Sequence, residues 1–303
     1  GSVAYIGQDR TELIALFANV RNQGDAWTYT LNHLKRFLGD LLADGDQLAA
    51  PHELYNSQMH TLGRRVGQMH ALLSADQLDP VFTPEPIEQA DLSRWSGYAE
   101  AHLGAILQSI AQRLPTMNEH GRVHAQRLLE MRERAFERIL QLARVHVDAV
   151  KIRHHGNLHL GKVLLAADDF LITGFEGDAS LPLQARRRKD CALRDIASLL
   201  NSLDYARVAA LERAIVARPE QRERLTVPLA SWFESASAAL FAGYRFGVRA
   251  ARCVPSNELD MRRLIRLFRI SRALQEAENE LNGRTGWTGV PLEVLLKEIE
   301  RDD

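Results

Sequence analysis

Helical periodicity runs through nearly all of this 303-residue chain and fails in one place, between residues 152 and 177. There two short apolar runs, Val163 to Ala166 and Phe170 to Thr173, follow a polar loop that reads His155-Gly156-Asn157-Leu158-His159-Leu160-Gly161-Lys162. Directly after them comes Gly174-Phe175-Glu176-Gly177. A two-stranded pair is marginal by itself and must lie on helices, so the chain is expected to be α+β and mostly helical, with this loop displayed on a helical body.

Around that break the periodicity predicts helices over Thr28 to Leu42, from Pro51 to about Leu73, and near 88–114 and 119–149. Asp76 to Pro86 carries three prolines and reads as a connector. In the 119–149 segment Leu129, Phe136, Leu140, Ala143 and Val147 form one apolar stripe, which predicts a single helix packed as a hairpin on its predecessor. After Asp190 four more helices are expected, near 191–213, 218–251, 257–282 and 291–300. A chain of this length buries about three-quarters of its unfolded surface and needs no crosslinks. Its two cysteines, Cys191 and Cys253, read as buried thiols in a reducing compartment and exclude a Cys-rich zinc site; no metal is expected. The net charge of -1 gives no field for nucleic acid or anionic lipid, and no apolar run nears the roughly 20 residues of a membrane span. The expected location is cytoplasmic.

Six ordered stretches carry a resemblance. Besides the loop itself they are Asn22-Gln23-Gly24-Asp25-Ala26-Trp27-Thr28-Tyr29-Thr30-Leu31, Leu62-Gly63-Arg64-Arg65 ending in Met69-His70, and Phe82-Thr83-Pro84-Glu85-Pro86. Downstream follow Pro182-Leu183 to Arg186-Arg187-Arg188-Lys189 with Leu193-Arg194-Asp195-Ile196-Ala197, then Glu278-Asn279-Glu280-Leu281-Asn282 through Trp287 to Val290-Pro291-Leu292. The chain thereby resembles the aminoglycoside-phosphotransferase-like kinases, and among them the maltokinases, which are similar to the C-terminal part of many trehalose synthase fusion proteins. The resemblance implies a protein-kinase-like C-lobe at 151–303, a helical intermediate subdomain at 21–150, and only a remnant hairpin of the N-lobe with the hinge at 1–20. Val3 to Gly7 and Glu12 to Val20, around Gln8-Asp9-Arg10, would be that hairpin.

Phosphoryl transfer needs an acidic group beside the attacking hydroxyl and oxygen ligands for Mg²⁺. In these kinases the loop reads H-G-D with an Asn or Gln five residues later, and the second strand ends in D-F-E. Here the three matching positions are Asn157, Lys162 and Gly174. An amide at Asn157 cannot take a proton, Lys162 places an ammonium where a divalent ion belongs, and Gly174 offers no oxygen. Losing one base costs roughly 10²- to 10⁴-fold in rate. The leading expectation is therefore a maltokinase-like pseudokinase with no cofactor, which scaffolds a trehalose synthase, sets its oligomeric state, or binds a maltose-like saccharide. The alternative is an active maltokinase that transfers the γ-phosphate of Mg-ATP to maltose, with Asp168, Asp169, Glu176 and Asp178 as substitute carboxylates. A third reading is a sugar-binding or regulatory module whose acceptor cleft stays open.

Single residues carry narrower expectations. His155 and His159 are expected to hydrogen-bond within the structure, and Asp195 resembles the family's aspartate that holds the catalytic loop from below. Glu176 is expected to order its loop through backbone or Arg contacts, and the run Arg186 to Lys189 either to meet phosphate or a partner's acidic surface or to form a solvated basic turn that pairs with Asp190 and Glu176. Of Trp27, Trp95, Trp232 and Trp287, at least three are expected in the core.

Overall fold

In a computed structural model of the chain, residues 2–6, 10–15, 18–44, 52–75, 79–117, 119–216, 218–283 and 289–301 are described. The apolar stripes settle into ten helices among these residues, with three two-stranded antiparallel pairs inserted between them. Strands β1 (Ser2–Ile6) and β2 (Arg10–Ala15) form the expected N-terminal hairpin. Helices α1 (Ala26–Asp44) and α2 (Glu53–Leu73) follow. Pro51, expected to open α2, lies outside the described residues, as does Trp287.

Next come β3 (Glu85–Pro86), α3 (Gln89–Arg113), α4 (Glu119–Glu130) and α5 (Arg132–Leu142). The expected single helix over 119–149 is corrected here in two ways. Met131, at φ -93° and ψ 14°, separates α4 from α5, so that α4 packs on the C-terminal helix while α5 packs on α3. The buried stripe is Ala125, Leu128, Ala135, Ile139 and Leu142, one position away from the expected one, and Leu140 is exposed. Beyond Ala143 the chain is extended: burial alternates from Val145 to Ala149, which is the period of two of a strand-like segment. That segment leads into β4 (Val150–Lys151), paired with β3.

The loop then rises to β5 (Val163–Ala166) and β6 (Asp169–Ile172), in register from Val163↔Ile172 to Ala166↔Asp169. The segment before α1 docks on β5: Gln23 N–H donates to the Leu165 carbonyl at 2.8 Å and Leu165 N–H to the Gly24 carbonyl at 3.0 Å. The remaining helices are α6 (Leu183–Arg187), α7 (Leu193–Ile215), α8 (Arg222–Val248), α9 (Glu258–Asn282) and α10 (Gly289–Glu300). Trp95 and Trp232 are buried in the core and Trp27 packs partly buried against it. Both cysteines are buried and free.

Two features fix the helices relative to one another. Helices α2 and α8 touch backbone to backbone through Gly63, Gly67, Gly243 and Gly247. A Cβ on Gly63 would lie 2.0 Å from the Leu240 carbonyl oxygen, and one on Gly243 1.9 Å from that of His60. Helices α7, α9 and α10 are joined by a buried charge network. In it Asp204 meets Arg207 at 3.0 Å and Arg269 at 2.6 Å, and Glu298 meets Arg266 at 3.0 Å and Arg269 at 2.5 Å. Buried charges need such partners, because each one left alone costs several kcal/mol.

Candidate functional site

The close α2–α8 contact sets His70 of α2 against Tyr244 of α8 and Asp195 of α7, each at 3.0 Å from a ring nitrogen. Asp195 is 1% exposed and receives two more donors, His155 N–H at 2.8 Å and Gly156 N–H at 2.9 Å. Burial pushes its carboxyl upward, but His154, His70 and His155 outweigh that and hold it well below the usual carboxylate range. Asp195 therefore stands under the loop and holds its backbone at His155 and Gly156.

His155 is buried, and its ring bridges the loop and the second strand. Nε2 lies 2.8 Å from the Thr173 carbonyl and must donate; Nδ1 then accepts from Asn157 N–H at 3.3 Å. Gly156 takes φ +77°, the left-handed turn that a side chain would strain, and Asn157 follows half-buried. His159 caps the short helical turn Leu160–Lys162 by accepting from Gly161 N–H at 3.2 Å. Burial, with Arg272 and Lys162 nearby, lowers its pKa to about 4.

Lys162, Gly174 and Glu176 do come together. Lys162 Nζ lies 2.7 Å from Glu176 Oε1, and its stem lies across Gly174, where a Cβ would sit 2.7 Å from Cδ and Nζ. Gly174 has φ +80°. The Lys162 hydrogen bond keeps the Glu176 carboxyl below its ordinary range. The side-chain partner of Glu176 is thus a lysine, while Arg186 Nη1 donates to its backbone carbonyl at 3.2 Å. The residues present do not fit a Mg²⁺ ion at this position. An ammonium already satisfies the carboxylate, and the glycine supplies no ligand. Among the described residues no group of three or more His, Cys, Asp or Glu is placed to hold a metal.

The other candidate carboxylates are dispersed. Asp169 is bound by Arg65 of α2, with Nε at 2.8 and 3.0 Å, and that guanidinium holds its pKa down. Asp168 is exposed. Asp178 accepts from Ser180 N–H at 3.0 Å and Ser180 O–H at 2.7 Å, with Arg272 at 3.6 Å. In the basic run, Arg188 lies 3.9 Å from Asp190, and Lys189 meets Glu85 at 2.8 Å.

Beside the loop opens a cleft of about 350 Å³, walled by α3, the loop at His154 and Gly156, the segment from Gly177 to Asp190, α7 and α9. Gly156 and Gly177 form its edge, and Trp95, Tyr98 and Phe268 supply aromatic surface. Sequence reasoning did not assemble this cleft, because its walls come from five separate stretches. His70 closes one of the matched stretches, but its role becomes visible only when α2 is placed on α7.

No family model matches the chain. It is 24% identical over 282 residues to a glucosamine kinase of Streptacidiphilus jiangxiensis, a match that covers 92% of this chain and 56% of the relative. A 56-residue stretch is 38% identical to the glucosamine kinase of Mycolicibacterium smegmatis, covering 18% of this chain and 14% of the relative. The chain thus spans about half the length of the first relative or less of the second. Among solved structures, a glucosamine kinase in complex with glucosamine, ADP and inorganic phosphate superposes with a TM-score of 0.70 at 19% identity, covering 96% of this chain and 61% of that one. A second crystal form of a glucosamine kinase gives 0.73 with 60% of its chain covered. At this identity the likeness shows the fold, which is kinase-like, α+β and mostly helical.

Proposed function

We propose that this chain is a sugar-kinase-like domain that keeps the acceptor side of a kinase site and does not transfer phosphate. The observation that carries this reading is the Lys162–Glu176 contact at 2.7 Å laid across Gly174. By the motif correspondence, a tethered monovalent cation would then stand where phosphoryl transfer requires a divalent one, and Asn157 where a base must accept the acceptor hydroxyl's proton. His155 and Asp195 keep a structural role, holding the loop's shape after its chemistry is gone. In this reading residues 1–20 are the remnant N-lobe hairpin, 21–150 the intermediate helices and 151–303 the C-lobe.

The sugar is either maltose-like, following the motif resemblance, or an amino sugar, following the names of the relatives. The resemblance to maltokinases further supports a place beside a trehalose synthase in cytoplasmic trehalose, maltose and α-glucan metabolism. The test is calorimetric titration with Mg·ATP, together with a coupled assay for phosphorylation of maltose and of glucosamine. The expected result is no sugar phosphate from either acceptor. Mg²⁺-dependent formation of a sugar phosphate overturns the reading and makes the chain an active kinase.

A further inference from the structure

The cleft has more donors than its own acceptors can use. Five arginines line it, Arg94, Arg186, Arg188, Arg194 and Arg272, against three carboxylates, Asp178, Asp190 and Asp195. Two further titratable groups stand on the wall: burial chiefly lowers the pKa of His154 and chiefly raises that of Tyr98.

All three carboxylates are already engaged. Asp195 takes the three donors described above. Asp190 accepts from Cys191 N–H at 2.8 Å and pairs with Arg194 at 3.0 Å. Asp178 is occupied by Ser180 and Arg272. Three of the arginines are likewise committed. Arg94 holds Asp91 at 2.7 Å, Arg272 holds Glu276 at 2.7 Å, and Arg194 stands over Phe268 with its guanidinium carbon 4.4 Å from the ring centre; its buried Nε lies 3.0 Å from Asp190 without hydrogen-bond alignment, so Asp190 holds it as an ion pair.

Arg186 and Arg188 are different. Arg186 spends Nη1 on a backbone carbonyl while its Nε is buried without a partner, and Arg188 reaches Asp190 only at 3.9 Å. The Nδ1 atom of His154, on the same wall, is also buried and unpartnered. A ligand that completes this cleft must bring acceptors, and two guanidiniums with spare donors suit an oxyanion. The volume of about 350 Å³ lies at the small end of small-molecule sites, which run from roughly 300 to 1,000 Å³, and suits one sugar ring better than two.

We propose that this cleft binds a phosphorylated monosaccharide, with the phosphate on Arg186 and Arg188 and the ring against Tyr98. This rests on the proposed reading of the chain as a sugar-kinase-like domain and takes the cleft beside the loop as its acceptor side. It also assigns that side to an anion, because a cationic amino sugar would find no free carboxylate there. No bond is made or broken in this binding.

The experiment is calorimetry of the whole chain at fixed pH and ionic strength. The probes are glucose 6-phosphate and glucosamine 6-phosphate, set against glucosamine, maltose, gluconate and inorganic phosphate. A sugar phosphate is expected to bind at least tenfold tighter than every other probe. Arg186→Ala and Arg188→Ala are each expected to weaken it roughly tenfold or more, the size of one lost charge-assisted hydrogen bond. Arg187→Ala, which does not line the cleft, should leave the affinity unchanged, and a thermal scan of each variant checks that it is folded. Tighter binding of glucosamine or maltose overturns the proposal. Equal binding of inorganic phosphate overturns it too, since the site would then be an anion patch with no sugar pocket. Turnover of Mg·ATP would defeat the non-catalytic reading alone and leave these affinities to be judged separately.

Discussion

Replacing Gly63 by Ala should behave in the opposite way from replacing Gly97 or Gly104 by Ala, although all three glycines lie inside helices. A helical Gly→Ala change by itself stabilises by about 1 kcal/mol. At Gly97 and Gly104 a new Cβ meets nothing within 4 Å, so that gain should appear in full. At Gly63 the Cβ would lie 2.0 Å from the Leu240 carbonyl oxygen and 2.8 Å from the Tyr244 nitrogen, both backbone atoms of α8. Carbon–oxygen contacts settle near 3.3–3.6 Å, so the two helices must part by more than about an ångström. Overpacking of this kind costs up to about 3 kcal/mol. The shift also stretches the 3.0 Å His70–Tyr244 hydrogen bond, worth about 1 kcal/mol more. Set against the propensity gain, Gly63→Ala should lose about 3 kcal/mol. Urea unfolding measures this as a fall in midpoint at constant slope, while the two α3 variants should rise. If Gly63→Ala matches Gly97→Ala, the backbone contact between α2 and α8 is wrong.

Asp195→Asn turns one accepting oxygen into a donor against N–H groups and should cost about 3–5 kcal/mol, as breaking a buried charged pair does. Because the folded pKa of Asp195 is depressed, its contribution is present above the unfolded value of about 3.9 and disappears as pH falls below it. Acid unfolding of the variant should accordingly be shallower in that range. His33, whose pKa is lowered to about 4 mainly by burial, stabilises the fold above pH 6.5 and loses that contribution as pH falls from 6.5 to 4. His33→Gln should flatten the stability curve within that window; an unchanged slope would place the effect elsewhere. Lys162→Met should bring the Glu176 carboxyl back toward its ordinary pKa, read by carboxyl NMR titration, and no movement would mean that the 2.7 Å contact is not formed in solution.

Most helices could be read from the sequence because a stripe every three to four residues has one physical cause, burial of one face. The misreading at 119–149 has an equally specific cause. Val145, Val147 and Ala149 alternate in burial, but Ala143 and Val147 are four residues apart and follow a true helix closely enough to be taken as its last turns. The loop was legible as a unit since polar residues and glycines between two short strands have nowhere to go except the edge of the helical body. Its supports were only half legible: Asp195 could be placed by pattern, whereas His70 and Tyr244 come from helices whose approach depends on four glycines. In a sequence a helical glycine reads as a weakness, and only the partner helix shows it to be a groove. The cleft escaped for a related reason. Arg186 and Arg188 sit together in the chain, but Arg94, Arg194 and Arg272 arrive from three other helices, and their spent or spare donors are a property of the assembled wall.

The glycine contact between α2 and α8 also bears on how the chain can come apart. Its two sides stand far apart in sequence, as the 174-residue separation of His70 and Tyr244 shows. Contacts this distant form only after a large loop has closed, which slows folding and makes the late step cooperative. The two portions should therefore melt as one unit, and a cut between α5 and β4 should yield fragments that each expose a backbone groove with nothing to fill it. The chain should act as an undivided body, and the loop above Asp195 inherits its rigidity from a joint more than half the chain in the making.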